Sequence, residues 1–284
     1  MAKIFHHYDI AYRKRGGAFR VVPPPSYGWT ADPFLVAYEG AVYLFAEIFL
    51  YKTERNGVIG CCRYDGDGFG PWMVTMDKHW HLSYPNVSVR DGRLYMVPES
   101  YQAEEIAEYV LAAWPDRWEK HRVFAMNREF CDTTFFTFCG QSYLFTFLRQ
   151  QPSPHGEGWL YRVVDGKAVD GRKISDALYG ARCGGKVFER DGKLIRVAQN
   201  AENGYGGSLI FFAIDSVAPE YREHVVGEWH VADVLPDGPG RYTGIHTYNA
   251  LGNLEVIDLR YETTSPEEVA ASRRAHEMFV DKYR

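Results

Sequence analysis

W-T-A-D-P-F-L-V-A-Y (29–38), E-G (39–40) and A-V-Y-L-F-A-E (41–47) together decide the fold. Two runs rich in β-branched and aromatic residues flank a dipeptide suited to positive φ, which is the pattern of a β-hairpin with a two-residue turn. A polar residue closes each outer end, Asp32 on the first run and Glu47 on the second. The same arrangement returns at Ser83–Glu99, Asp132–Phe147, Arg182–Gln199 and His246–Asp258, hinged on Gly92, Gly140, Gly192 and Gly252. Repeats of roughly 50 residues built from hairpins describe a propeller, whose blades cannot bury their faces alone. Five units predict an all-β, five-bladed β-propeller. An antiparallel hairpin brings its second strand back to the level at which the first began, so the polar ends of every unit share one face. Converging on the axis, they line a single mouth.

The second hairpins of the blades are expected at Gly57–Tyr64 with Trp72–Met76, Ile106–Ala112 with Trp118–Phe124, Gly158–Val164 with Ala168–Ile174, and Ser208–Ile214 with Glu223–His230. The fifth unit is followed by S-P-E-E (265–268), a capping box with proline at the first helical position. A short C-terminal helix over about 265–284 follows from it. The missing outer strands of blade five must then come from the other end of the chain, Ile4 to Arg13 and Ala18 to Val22, which closes the ring. Residues 149–158 have no apolar periodicity and read as a mobile loop beside blade three. No linker divides the chain, so residues 1–284 read as one domain.

Composition narrows the partners. A net charge of −5 without a basic stripe argues against nucleic acid. No run approaches the ~20 apolar residues of a membrane span, and the opening M-A-K-I-F-H-H-Y-D-I lacks the apolar core of a signal peptide. Five cysteines without metal-type spacing suit a reducing compartment, so a cytoplasmic location is expected. His81 and His246 have no tight ligand spacing between them, and neither a metal nor a cofactor is expected. The G-Y-G-G run at 204–207 precedes a strand and is not a phosphate loop.

The W-T-A-D-P-F-L-V segment resembles the opening motif of the five-bladed glycosidases of glycoside hydrolase families 43 and 32. That resemblance implies a catalytic carboxylate at Asp32, and C-D-T-T-F-F resembles their second aspartate, at Asp132, which orients substrate and adjusts the acid. In the fourth hairpin A-R-C-G-G-K-V-F places Arg182 where those families carry a glutamic acid. A fuller match is to the propeller domain at the N-terminus of plant glucosamine inositolphosphorylceramide transferases, also found in bacterial proteins encoded near surface-polysaccharide functions. It rests on W-x-A-D-P-F (29–34), Y-L-F-x-E (43–47), H-L-S-Y-P (81–85), Y-M-x-P-E (95–99), D-T-T (132–134), R-x-G-G (182–185) and H-T-Y-N (246–249). Sugar transfer in the plant proteins belongs to a separate domain.

Glycoside hydrolysis needs a carboxylic acid at the leaving oxygen and a carboxylate for water or the anomeric carbon. The expected catalytic set is Asp32 as base, Glu99 as acid with Glu47 in reserve, and Asp132 as orienter. Trp29 and Tyr84 are candidate stacking surfaces, and Glu47, His81, Arg182, Gln199, His246, Asn249 and Asp258 candidate sugar contacts. The Arg182 fork suits a carboxylate or phosphate, so the expected partner is a carbohydrate of acidic or phosphorylated character. Each polar end also has a bland alternative: a turn cap at Asp32 and Asp132, an ion pair between Arg182 and Asp132, packed histidines, and core aromatics. A non-catalytic glycan-recognition or assembly module, or a transferase using a phosphorylated donor, fits the same residues.

Overall fold

A computed structural model describes residues 6–51, 57–150, 154–263, 265, 266 and 268–270. Five antiparallel sheets form the blades of a propeller. Blade 1 comprises Gly28–Tyr38, Ala41–Leu50, Gly57–Tyr64 and Met73–Met76; blade 2, Ser83–Arg90, Arg93–Glu99, Glu105–Ala113 and Arg117–Met126. Blade 3 comprises Phe130–Phe138, Gln141–Arg149, Gly156–Val164 and Lys167–Ser175. In blade 4 the innermost strand is split into Tyr179–Cys183 and Phe188–Arg190, followed by Lys193–Asn200, Ser208–Ser216 and Arg222–Trp229. In blade 5 Tyr242–Gly244 and Tyr248–Leu251 both pair with Leu254–Glu262.

The chain ends close the ring, as the missing strands of blade five require. His6–Lys14 runs antiparallel to Leu254–Glu262 in continuous register from His6↔Glu262 to Lys14↔Leu254, and Arg20–Val21 adds the outer edge. The outer strands lie within two residues of their expected bounds. At the inner hairpins Glu39, Asp91, Cys139 and Asp191 have φ near 50° and the glycines that follow have φ of 71–78°, the left-handed pairs that tight hairpin turns demand. One helical turn at Val231–Val234 was not expected. At the far end the Glu268 N–H donates to the Ser265 hydroxyl and the Val269 N–H to the Ser265 carbonyl, which starts the expected helix; its remainder, 271–284, lies outside the described residues. Of the expected loop at 149–158, Arg149 ends one strand and Gly156 begins the next, and 151–153 also lie outside them.

Neighbouring blades stack on both faces of each inner strand, so these strands are buried without alternation: Leu44, Phe45, Ala46, Glu47 and Ile48 are consecutive buried residues. Outer strands face solvent, and Lys167–Ser175 has no buried residue. Phe34, Phe45, Val87, Met96, Tyr109, Phe136 and Phe145 belong to one core cluster running through blades 1 to 3, while Val197, Phe211, Tyr248 and Ile257 join blades 4 and 5. Both clusters hold the inner strand ends at fixed positions around the axis.

Candidate functional site

In blades 1 to 3 the innermost strand carries a bulge at the same level. Pairing is irregular between Ala31 and Phe34, Ser83 and Asn86, and Cys131 and Thr134. Within each bulge one residue is left-handed: Asp32 at φ 53°, Tyr84 at φ 43° and Asp132 at φ 48°. A non-glycine residue there costs roughly 1–2 kcal/mol, and the extra residue turns its side chain out of the strand's alternation. Such strain at three equivalent axial positions makes this level the candidate site.

Carboxylates tie the bulges together around the ring. Asp258 accepts from the N–H of Asp32 at 3.0 Å, Asp32 from the N–H of Tyr84 at 3.1 Å, and Glu99 from the N–H of Asp132 at 3.0 Å. Asp258, fully buried, also accepts from the N–H groups of His246 (3.1 Å) and Thr247 (2.9 Å), and the Thr247 hydroxyl donates to Asp32 at 2.9 Å. His246 Nδ1 is 2.7 Å from Asp258 and its Nε2 3.6 Å from Asp32. One ligand atom from each of Asp32, His246 and Asp258 lies within 4.8 Å of the others, a spacing compatible with a shared cation. Arg182 crosses from blade 4 to donate to Asp132 through Nε and to Glu99 through Nη2 at 3.3 Å, and Gln199 donates to Asp132 at 3.0 Å. The guanidinium lies between the rings of Tyr205 (5.1 Å) and Phe147 (5.5 Å).

Glu47 is different. No hydrogen bond to its carboxyl is found among the described residues, and His81 Nε2 lies 3.5 Å away. Burial, then the charges of Asp32 and Glu99, raise its pKa well above the ordinary glutamate value. Burial and Asp132 do the same to Glu99 against the opposing pull of Arg182. Burial also lifts Asp32, which His246 pulls down and Asp132 and Asp258 push up, leaving it at about 6. For His246 burial acts downward, but Asp258 and then Asp32 outweigh it and the pKa is raised. Burial, Arg149 and Arg182 hold His81 at about 4, so it is neutral near neutral pH. The well therefore gathers an Asp32 poised near 6 and two glutamates whose pKa values burial raises.

Several expected contacts are elsewhere. Tyr84 is fully buried; its hydroxyl meets the Thr134 hydroxyl at 2.8 Å, donates to the Gly185 carbonyl at 3.0 Å and accepts from the Gly185 N–H at 2.7 Å. It plugs the axis beneath the carboxylates and offers no face to a sugar. Asn249 receives the Lys186 N–H and donates to the Pro33 carbonyl, a tie between blades 4, 5 and 1. Trp29 stacks on its cross-strand neighbour Phe49 at 4.8 Å within blade 1 and packs on Tyr8 of blade 5 at 5.7 Å. Sequence reasoning missed Tyr8, which stacks on His246 at 4.4 Å, and Tyr205, edge-on to His246 at 5.3 Å. The G-Y-G-G run that carries Tyr205 was the available signal, because Gly206 lets the backbone pass so close that a Cβ there would lie 2.9 Å from the Tyr8 hydroxyl. With Tyr205 in place the space beside Arg182 is about 10 Å³, room for one water.

Residues 23–234 match the family described as Glucosamine inositolphosphorylceramide transferase 1, N-terminal. The protein of that name from Oryza sativa subsp. japonica is 28% identical over 207 residues, covering 69% of this chain and 27% of the rice protein. That from Arabidopsis thaliana is 29% identical over 236 residues, covering 75% and 30%. The chain thus spans less than a third of the length of these relatives. A thermostable family-43 glycoside hydrolase superposes with a TM-score of 0.59 at 11% identity, covering 87% of this chain and 93% of that one. The catalytic domain of the Coprinopsis cinerea GH62 α-L-arabinofuranosidase gives 0.59 at 13%, covering 91% and 98%. At such identities the likeness is one of fold.

Proposed function

Because the chain belongs to the family of glucosamine inositolphosphorylceramide transferase 1 N-terminal domains, we propose that it is a carbohydrate-active propeller whose axial well takes a sugar and hydrolyses a glycosidic bond. The observation that carries this reading is the unlike setting of neighbouring buried carboxyls: Asp32 accepts from the Tyr84 N–H and the Thr247 hydroxyl beside His246, whereas Glu47 has no hydrogen bond among the described residues and its pKa is raised by burial. Environments that push like groups apart assign acid and base. Glu47 gives its proton to the glycosidic oxygen as the bond to the anomeric carbon breaks. Asp32 takes a proton from the water that attacks that carbon, and the products are a free reducing sugar and the departing alcohol. Glu99 ranks second as acid, since one of its oxygens already accepts from the Asp132 N–H and Arg182. Asp132, held by Arg182 and Gln199, orients sugar hydroxyls. An acidic or phosphorylated sugar must win Arg182 from Asp132.

The commitment of Arg182 to Asp132 and Glu99 favours a second reading, a glycan-recognition or assembly module for polysaccharide or glycolipid synthesis, with transfer from a phosphorylated donor as its catalytic variant. Five free thiols, four of them buried, suit a cytoplasmic location under either reading. A screen of aryl furanosides, aryl pyranosides and nucleotide sugars decides. Hydrolysis predicts cleavage of an aryl glycoside by the wild type that Asp32→Asn and Glu47→Gln both abolish. Cleavage unchanged in Asp32→Asn removes the mechanism, and sugar binding without cleavage leaves the recognition module.

A further inference from the structure

The inner strands of blades 2 and 3, which carry Tyr84 and Asp132, continue toward their hairpin turns into a second concavity. This cleft, about 440 Å³, opens between blades 2 and 3 and reaches Lys186 at the axis. Its volume falls within the ~300–1,000 Å³ of small-molecule sites. Its apolar walls come from Met96, Val97, Phe124, Phe136 and Tyr143. Its charges are Arg90, Arg122 and Lys186 against a single acid, Glu108. Glu108 is buried and already shared, with Arg90 Nη2 at 2.5 Å and Arg122 Nε at 3.1 Å, while both guanidinium groups remain over two-fifths exposed. Three cations against one anion leave the lining at a net +2.

Lys186 is the unusual member. Its side chain crosses the axis from blade 4, and its ammonium donates to the Val87 carbonyl at 2.6 Å and the Leu35 carbonyl at 3.2 Å. An ammonium has three donors, and the third finds no acceptor among the described residues. No carboxylate pairs with it there either. Burial lowers its pKa to about 8, so it remains mostly charged at neutral pH. A cation out of water without a counter-ion is costly, and a neutral amide could bridge the same two carbonyls. We propose that the cleft between blades 2 and 3 binds a small organic anion carried on a ring, a sugar carboxylate or sugar phosphate, with Lys186 as the anchor of the anionic group. Arg90 and Arg122 flank the approach, and the aromatic walls take the ring. Tyr84 separates this cleft from the axial well, so the site is independent of the chemistry proposed there.

Titration calorimetry with glucuronate, glucose 6-phosphate, inorganic phosphate and glucose tests the assignment on wild type, Lys186→Met and Ser88→Trp. Ser88 lines the cleft next to Val87, and its variant changes a side chain rather than the Val87 carbonyl that Lys186 bonds, so it fills the space and leaves the axial ties in place. At least one sugar anion is expected to bind the wild type about tenfold more tightly than glucose, the effect of one charge-assisted hydrogen bond, and both variants are expected to lose that preference. The balance between glucuronate and glucose 6-phosphate tells carboxylate from phosphate. Should Lys186→Met fail to fold, Ser88→Trp still answers. Binding that survives Ser88→Trp, or no preference for either sugar anion over glucose, overturns the proposal.

Discussion

Replacing Arg182 by methionine removes a buried cation shared by two buried carboxylates. The Arg182 side chain is 16% exposed, Asp132 2% and Glu99 5%, so solvent screening gives little relief. Breaking such a pair from one side costs about 3–5 kcal/mol, because the partners remain buried and uncompensated. At about 2–4 °C per kcal/mol for a chain of this size, the midpoint of thermal unfolding should fall by roughly 6–20 °C at pH 8. The loss should shrink at pH 5. Without the cation Glu99, whose pKa burial already raises against the opposing pull of Arg182, is raised further, so the folded variant takes up a proton as pH falls and regains stability relative to wild type. Asp132→Asn in the Arg182→Met background should cost far less than the sum of the two changes, a coupling of about 1.5–3 kcal/mol. Calorimetric melts of the three variants at pH 5 and 8 supply the numbers. A drop below about 2 °C, equal at both pH values, would refute the buried pair and free Arg182 for a ligand.

Any hydrolysis should show a bell-shaped pH profile whose acidic limb lies near 6, where Asp32 ionises, and an Asp32→Asn variant should lack activity throughout. Asp32 is raised from 3.8, so the folded protein holds its proton between about 4 and 6 and loses stability as pH rises through that window; relative to wild type, Asp32→Asn should gain up to roughly 2–3 kcal/mol between pH 4 and 8, read from paired denaturant curves. Tyr84→Phe leaves the Gly185 N–H buried without its acceptor and should cost about 1–3 kcal/mol with no cavity, measured by the same curves. Gly206→Ala should lift the Tyr205 loop off His246 and speed amide hydrogen exchange over 201–207, whereas unchanged exchange would show that the loop is not held by that close approach.

The architecture was legible because it is written in local chemistry. Turn dipeptides at Gly40, Gly92, Gly140 and Gly192 and continuous apolar runs beside them act within a few residues, and counting blades then forced the N-terminal strands into blade five. The family followed from motifs spread over the same units. The level of the polar ends was legible too, and Asp32, Glu99, Asp132, Arg182, Gln199, His246 and Asp258 do meet there. What each one touches was not. Tyr84 reads like any strand tyrosine, and only the bulge at φ 43° sends it across the axis to Gly185. Asn249 belongs to a motif with His246, yet it lies in the split inner strand of blade 5 and turns to Lys186 and Pro33. Lys186 itself carries no motif, since its meaning comes from carbonyls contributed by Leu35 and Val87, far away in the chain. Glu47 and Glu99 occupy equivalent positions, and what separates them is the Asp132 N–H and Arg182 on Glu99 against His81 beside Glu47.

A titration of carbon-13-labelled side-chain carboxyls in the wild type, with Asp32→Asn and Glu47→Gln spectra to assign the signals, is the most direct test of the axial well. The expected result is an Asp32 midpoint near 6 and a Glu47 midpoint well above that of a free glutamate. Midpoints near 4 for both groups would mean that solvent reaches them freely, and the acid and base assigned here would not exist.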